Sequence, residues 1–272
     1  MRRLAQTRKV GHLGTLDPAA TGVLPLVIGR ATRLARFYAS SDKVYDAVLR
    51  FGWATSTYDR EGERVGEPSE VDLDRDRLEP LLERFRGEFE QTPPPVSAKK
   101  IHGTPAYKLA RKNVAVELEP VKVKVFSLEL VGCSGAEARL RVHCSAGTYL
   151  RGIAHDLGQA YGCGAFLLSL VRTRSAEFTI EQARTLDALA EMAAADKLSE
   201  ALVPATSLLP DVPFERVDNL TETQIRQGRD FRTSPFRSGE PPRYVKAVSQ
   251  QNELIAIGEI RLPNLYHPFI VL

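Results

Sequence analysis

From Lys43 to Trp53 the chain reads KVYDAVLRFGW, which sets Tyr45, Ala47, Leu49 and Phe51 on one face of an extended segment and Val44, Asp46, Val48 and Arg50 on the other. A strand with one apolar face needs neighbouring strands for its backbone and an apolar layer to cover that face. Ala136 to Cys144 repeats the alternation, with Ala136, Ala138, Leu140, Val142 and Cys144 set against Glu137, Arg139, Arg141 and His143, and Val121, Val123 and Val125 supply a third candidate strand. The covering layer is legible in Leu78, Leu81, Leu82 and Phe85 and in Leu150, Ile153, Ala154 and Leu157, which follow helical spacing; the second set leaves Arg151 and His155 together on another side of its helix. Strands and helices do not alternate with βαβ regularity. The expected class is α+β, with a mostly antiparallel mixed sheet flanked by helices.

Gln91 to Gly103, QTPPPVSAKKIHG, is a stiff proline segment that ends in paired lysines, and Thr104-Pro105 after it has the form of a helix N-cap with proline in the first turn. Beyond Leu208 prolines recur at 210, 213, 235, 241 and 242 around the apolar segments Tyr244 to Val248 and Leu254 to Ile260. This places a domain boundary near Pro210, giving a main domain over 1–210 and a small β-rich module over 211–272.

The run VGHLGTLDPAATGVLPLVIG, Val10 to Gly29, carries Asp17, the only acidic residue between Met1 and Ser41, where Arg2, Arg3, Arg8, Lys9, Arg30, Arg33 and Arg36 are all basic. Proline fixes its own φ and pushes the preceding residue out of the helical region, so Asp17 stands on a stiff turn. An isolated Asp-Pro most often only serves a turn. Here the whole run resembles the signature of the TruB family of pseudouridine synthases, K-V-G-H-x-G-T-L-D-P-x-A-x-G-V-L-P, which it matches from Lys9 to Pro25. Further blocks follow in the family's order: Asp42-Lys43-Val44-Tyr45 with Thr57-Tyr58-Asp59-Arg60-Glu61-Gly62, then Gln91-Thr92-Pro93-Pro94 with Ser97-Ala98-Lys99, then Cys144 to Arg151, then Gly162 to Ala165 with Leu170, Arg172 and Arg174. The module beyond Val212 is similar, more weakly, to the PUA-like domain of such enzymes.

The resemblance implies the pseudouridine synthase fold and an isomerase that converts uridine 55, in the T-loop of tRNA, to pseudouridine by base flipping, with no metal and no organic cofactor. By the same resemblance Asp17 is the nucleophile, Arg151 the arginine that pairs with it, and Tyr45 the tyrosine that stacks on the uracil and handles its proton. Tyr149 and Leu170 line the pocket, and His12 helps hold the uridine out of its stack. Arg8, Lys9, Lys99 and Lys100 contact phosphates, which position RNA without reading its sequence. Family members carry a further segment with a Lys-Pro motif ahead of the first block, and this chain starts a few residues before Lys9. The expectation is that an N-terminal strand is missing, which motivates the alternative of an RNA-binding or RNA-folding protein with weakened catalysis. A hydrolase of N-glycosides ranks last, because such enzymes pair two carboxylates around the bond and none accompanies Asp17 in its block.

The net charge is only +3, but the basic residues cluster at the N-terminus and between Lys99 and Lys112, as a polyanion-binding face would require. Cys133, Cys144 and Cys163 are odd in number and form no C-x-x-C pair, which argues against a disulfide framework and a structural zinc site. No apolar stretch is long enough to span a bilayer and no signal peptide is evident, so the expected location is cytoplasmic; a monomer is expected.

Overall fold

The structure is a computed structural model that describes residues 1–94, 96, 100–101, 104–105, 118–234 and 240–272, with only the backbone at 100, 101, 104 and 105. Its strands, in chain order, are β1 (Val10–His12), β2 (Ala20–Gly22), β3 (Leu26–Ile28), β4 (Lys43–Phe51), β5 (Ala54–Thr55), β6 (Arg64–Val65), β7 (Gly87–Gln91), β8 (Lys100–Ile101), β9 (Thr104–Pro105), β10 (Val121–Ser134), β11 (Glu137–Cys144), β12 (Ala165–Ser175) and β13 (Phe178–Thr179). Five more follow: β14 (Phe214–Arg216), β15 (Phe231–Arg232), β16 (Tyr244–Val248), β17 (Leu254–Leu262) and β18 (Leu265–Val271). The α-helices among the described residues are α1 (Arg75–Leu82), α2 (Leu150–Tyr161), α3 (Leu186–Ala194) and α4 (Asn219–Arg226). None is long and apolar enough to cross a membrane.

The chain folds as two compact units, one of residues 14–24 and 40–183 and the other of 1–13, 25–39 and 184–272; Pro210 lies inside the second of these. The first unit is built on a mixed sheet in the order β13-β12-β4-β11-β10-β7, antiparallel throughout, with β2 added in parallel beside β12. The alternation of β4 plays out as the sequence predicts. Ala47, Leu49 and Phe51 are buried in one core with Leu140 and Val142 of β11 and Val125, Leu128 and Leu130 of β10. Leu78 and Leu82 of α1 and Ile153, Ala154 and Leu157 of α2 cover that face. Each of the Val, Leu, Ile and Phe side chains among these contributes about 1.5–3 kcal/mol when fully removed from water. α2 ends at Gly162, whose φ of 94° places it in the left-handed region while its N–H returns to the carbonyls of Gly158 and Gln159.

Thr104-Pro105 is described only by its backbone, and residues 106–117, which would continue a helix from it, lie outside the described residues. Both residues are extended and pair with Lys100–Ile101 as a two-residue ribbon, a place where proline's missing N–H does not interrupt a longer ladder.

In the second unit the β-rich module forms a five-stranded sheet in the order β14-β16-β17-β18-β15 over a core of Val217, Ile225, Phe231, Val245, Ala247, Ile255, Ala256 and Tyr266. Lys246, buried in β16, donates to the carbonyls of Thr206, Leu208 and Leu209 at 3.0, 2.9 and 3.2 Å, which ties residues ahead of Pro210 into this sheet.

The parallel pairing of β2 with β12 depends on Gly22. Its φ is 103°, and a Cβ there would lie 2.2 Å from the carbonyl oxygen of Arg172. Gly22→Ala is therefore expected to destabilise the protein by roughly 2–4 kcal/mol, from backbone strain and overpacking together, read as a lower urea midpoint. A midpoint unchanged from wild type would show that the pairing does not need the glycine.

Candidate active site

Asp17 lies in the loop that leads into β2, and the backbone N–H of Ala20 donates to its carbonyl at 2.9 Å, closing the Asp-Pro turn. Its carboxylate is 40% exposed and accepts a hydrogen bond of 2.8 Å from Nε of Arg151. Arg151 projects from the first turn of α2 and is only 5% exposed. Its Nη1 lies 3.4 Å from a carboxylate oxygen of Asp59 and donates to the carbonyl of Thr57 at 3.3 Å. A planar guanidinium with several fixed donors can bind two carboxylates and a carbonyl at once and so fix their relative directions.

Asp59 is the functional candidate that residue patterns alone do not single out, although it stands inside the second family block. Its carboxylate accepts from the Thr57 hydroxyl at 2.6 Å and from the Glu61 N–H at 3.0 Å, and its carbonyl from the Thr55 hydroxyl at 2.7 Å. The only signal is Thr57-Tyr58-Asp59 itself, which reads as an ordinary turn until α2 is packed against it.

Gln91 explains another block. Its amide donates to the carbonyl of Tyr149 at 2.9 Å and accepts from the Tyr149 N–H at 2.8 Å, clamping the residue just before Arg151's helix. Tyr149 thus stands at the N-cap of α2 in extended conformation. Leu170, from β12, joins Ala19, Ala20, Leu167, Asp17 and Arg151 in lining a small concavity. Tyr45 is partly buried on the core face of β4, opposite Arg172 in the β4–β12 register. Burial raises its phenol pKa, and the charge of Arg172 acts against that rise.

Asp17, Tyr45, Tyr149, Arg151 and Leu170 therefore belong to one unit, whereas Arg8, Lys9 and His12 belong to the other. His12 is exposed at the end of β1, which pairs with β3. Lys99 lies outside the described residues, and of Lys100 only the backbone is described, in β8.

A family model described as TruB family pseudouridylate synthase (N terminal domain) matches residues 2–150, and one described as tRNA pseudouridylate synthase B C-terminal domain matches 151–210. The chain belongs to the TruB family. It is 61% identical over all 272 residues to the tRNA pseudouridine synthase B of Solibacter usitatus (strain Ellin6076), covering 93% of that protein. It is 40% identical over 265 residues to that of Stutzerimonas stutzeri (strain A1501), covering 96% of this chain and 85% of the relative. Among solved structures, an H/ACA RNP bound to a substrate RNA containing 2'-deoxyuridine is similar in fold, with a TM-score of 0.70 and 22% identity over 98% of this chain and 77% of that one. The TruB chain accordingly has the mixed α+β architecture expected, with a β-rich C-terminal module.

One turn along α2 from Arg151, the ring of His155 stacks on Tyr58 with centroids 3.8 Å apart and planes 14° from parallel, and its Nδ1 is buried without a hydrogen-bond partner among the described residues. Burial lowers the His155 pKa, with the neighbouring Asp156 pulling it back up. A histidine whose folded pKa lies below its unfolded value stabilises the fold above the unfolded pKa, and that contribution is lost as pH falls through the folded value. His155→Phe keeps the stack and removes the titration. Between about pH 7 and pH 5 its melting temperature is expected to fall less than that of wild type, with Asp156 common to both. Parallel melting curves against pH would contradict this.

Proposed function

We propose that this TruB-family chain converts the uridine at position 55, in the T-loop of tRNA, to pseudouridine, with Asp17 as the nucleophile. One observation carries the reading: the Asp17 carboxylate is accessible yet held in a fixed direction by a buried arginine, beside a concavity lined by Leu170 and small apolar residues. A carboxylate oriented in this way is a competent covalent nucleophile. The names of the curated relatives, which the chain matches over most of their length, support tRNA as the substrate.

In the proposed reaction the carboxylate adds either to C6 of the uracil or to C1′ of the ribose. The C1′–N1 bond breaks, the detached base turns, and a C1′–C5 bond forms. N1 gains a proton, C5 gives one up, and Asp17 is released, so atoms and charge balance within a single nucleotide and no metal or organic cofactor is called on. Tyr45 stacks on the uracil and takes part in moving the C5 proton, while Tyr149 and Leu170 close the pocket. Extruding the base from its stack costs a few kcal/mol, which stacking and hydrogen bonds from the protein must offset; His12 is assigned part of that task.

The T-stem-loop phosphates would meet Arg8, Lys9, Lys99 and Lys100. A cavity of about 670 Å³ in the unit that holds Lys9 is also lined by Arg30 and Arg33, which add to the positive charge a polyanion would meet. The enzyme is read as a cytoplasmic monomer.

The test is to incubate an unmodified tRNA transcript with wild type and with Asp17→Asn and to map pseudouridine by carbodiimide-dependent primer extension. The expected outcome is a T-loop stop with wild type and a loss of roughly 10³-fold or more in rate with Asp17→Asn, at unchanged tRNA affinity. Retained turnover in Asp17→Asn would remove the nucleophile assignment. Binding without any stop in wild type would favour an RNA-binding protein with weakened catalysis.

A further inference from the structure

Arg172, in β12, is the largest fully buried side chain among the described residues, at 1% exposure. It makes no ion pair with a carboxylate among the described residues. Its guanidinium is instead spent on the backbone of the Asp17 loop: Nε donates to the carbonyl of Val23 at 2.8 Å, Nη2 to that of Gly14 at 3.1 Å and Nη1 to that of Thr15 at 3.3 Å. The main chain adds a fourth tie, from the Val23 N–H to the Arg172 carbonyl at 2.8 Å. Both ends of the segment that carries Asp17 are therefore fastened to one residue.

An arginine cannot shed its proton in a protein, so keeping it buried among carbonyls is costly compared with an apolar side chain of similar volume. The three carbonyls are what compensates that cost, and a leucine or methionine here would leave them without this donor. The charge also has a second neighbour. Arg172 stands opposite Tyr45 across the β4–β12 pair, and Lys43, likewise buried, lies two residues from Tyr45 on the same strand.

We infer that Arg172 is a positioning residue for the reaction, one guanidinium that fixes the Asp17 loop against β12 and at the same time sets the electrostatic surroundings of the Tyr45 phenol. The inference rests on the assignment of Asp17 and Tyr45 given above, and it goes beyond it by coupling the two through a residue that touches no substrate. Loop and phenol sit on different elements, and Arg172 bonds the one and stands opposite the other in the β4–β12 register.

The ionisable groups that face Tyr45 are Cys144 from β11, Arg172 from β12 and Asp17 from the loop. Burial pushes the Cys144 thiol up to about 11, so it stays neutral near pH 7 and Arg172 supplies the charge that favours the phenolate. Removing the guanidinium from an intact site must therefore move the phenol pKa of Tyr45 further up. Opening the site to water would move it down, toward the ordinary tyrosine value.

This opposition of signs separates positioning from scaffolding. The variants are Arg172→Met, which loses the charge, and Arg172→Lys, which keeps a charge but cannot span three carbonyls. The phenol is followed by absorbance near 295 nm as the difference between each protein and the same protein carrying Tyr45→Phe, without RNA. Turnover is followed as tritium released from tRNA labelled at uridine C5.

The expected result is an upward phenol shift in Arg172→Met, a phenol close to wild type in Arg172→Lys, and kcat lowered by roughly 10–100-fold in both at a KM for tRNA within about twofold of wild type. A wild-type kcat in either variant, or a downward phenol shift with KM and kcat falling together, would overturn the inference. Should Arg172→Met fail to fold, the kcat and KM of Arg172→Lys decide alone. Because the titration needs no substrate, it stands or falls separately from the Asp17 assignment, which Asp17→Asn tests.

Discussion

A single buried guanidinium, that of Arg151, joins the three segments from which the site is made. It reaches Asp17 on the loop before β2, and Asp59 and the Thr57 carbonyl on the turn after β5, while its own backbone is the start of α2. A charge held at 5% exposure is costly unless its donors are met, and two carboxylates and a carbonyl meet them. Loss of either acid would leave part of that charge uncompensated. The Thr55, Thr57 and Glu61 hydrogen bonds that brace Asp59, and the Gln91 clamp on Tyr149, all serve to keep this one side chain where it is.

The sheet provides the rigid frame. β12 runs beside β4 on one side and β2 on the other, so the strand that carries Leu170 and Arg172 is in register with both Tyr45 and the end of the Asp17 segment. The apolar alternation that buries Ala47, Leu49 and Phe51 also sets Tyr45 on their face, opposite Arg172, because residues two apart on a strand share a face. Core packing and site geometry are here the same constraint, and a register slip of one residue would turn Tyr45 away.

Much of this frame is legible in the amino-acid sequence. The period-two runs at Lys43–Phe51 and Glu137–Cys144 and the helical spacing from Leu150 become the elements expected of them, since their pattern matches one period over many residues. The Asp17 turn is legible too, from proline chemistry and an ordered family signature. The contributions of Asp59 and Arg172 to the geometry are not. Each depends on a contact between residues about 90 to 160 positions apart, and β2, inside the segment that Arg172 holds at Gly14, Thr15 and Val23, spans only Ala20–Gly22, too short to show a period. The pairing of Thr104-Pro105 with Lys100–Ile101 is not legible either, because an N-cap and a short strand both need an extended residue before proline.

If Arg151 is the joint of the site, Asp59 acts on the chemistry only through it. The most direct measurement is a double-mutant cycle on the single-turnover rate of pseudouridine formation, with Arg151→Ala, Asp59→Ala and the two combined. Each single change is expected to slow the reaction by about tenfold or more, and the combination to be no slower than Arg151→Ala alone. Losses that multiply in the double variant would mean that Asp59 works on its own account, and that Arg151 is not the joint of the site.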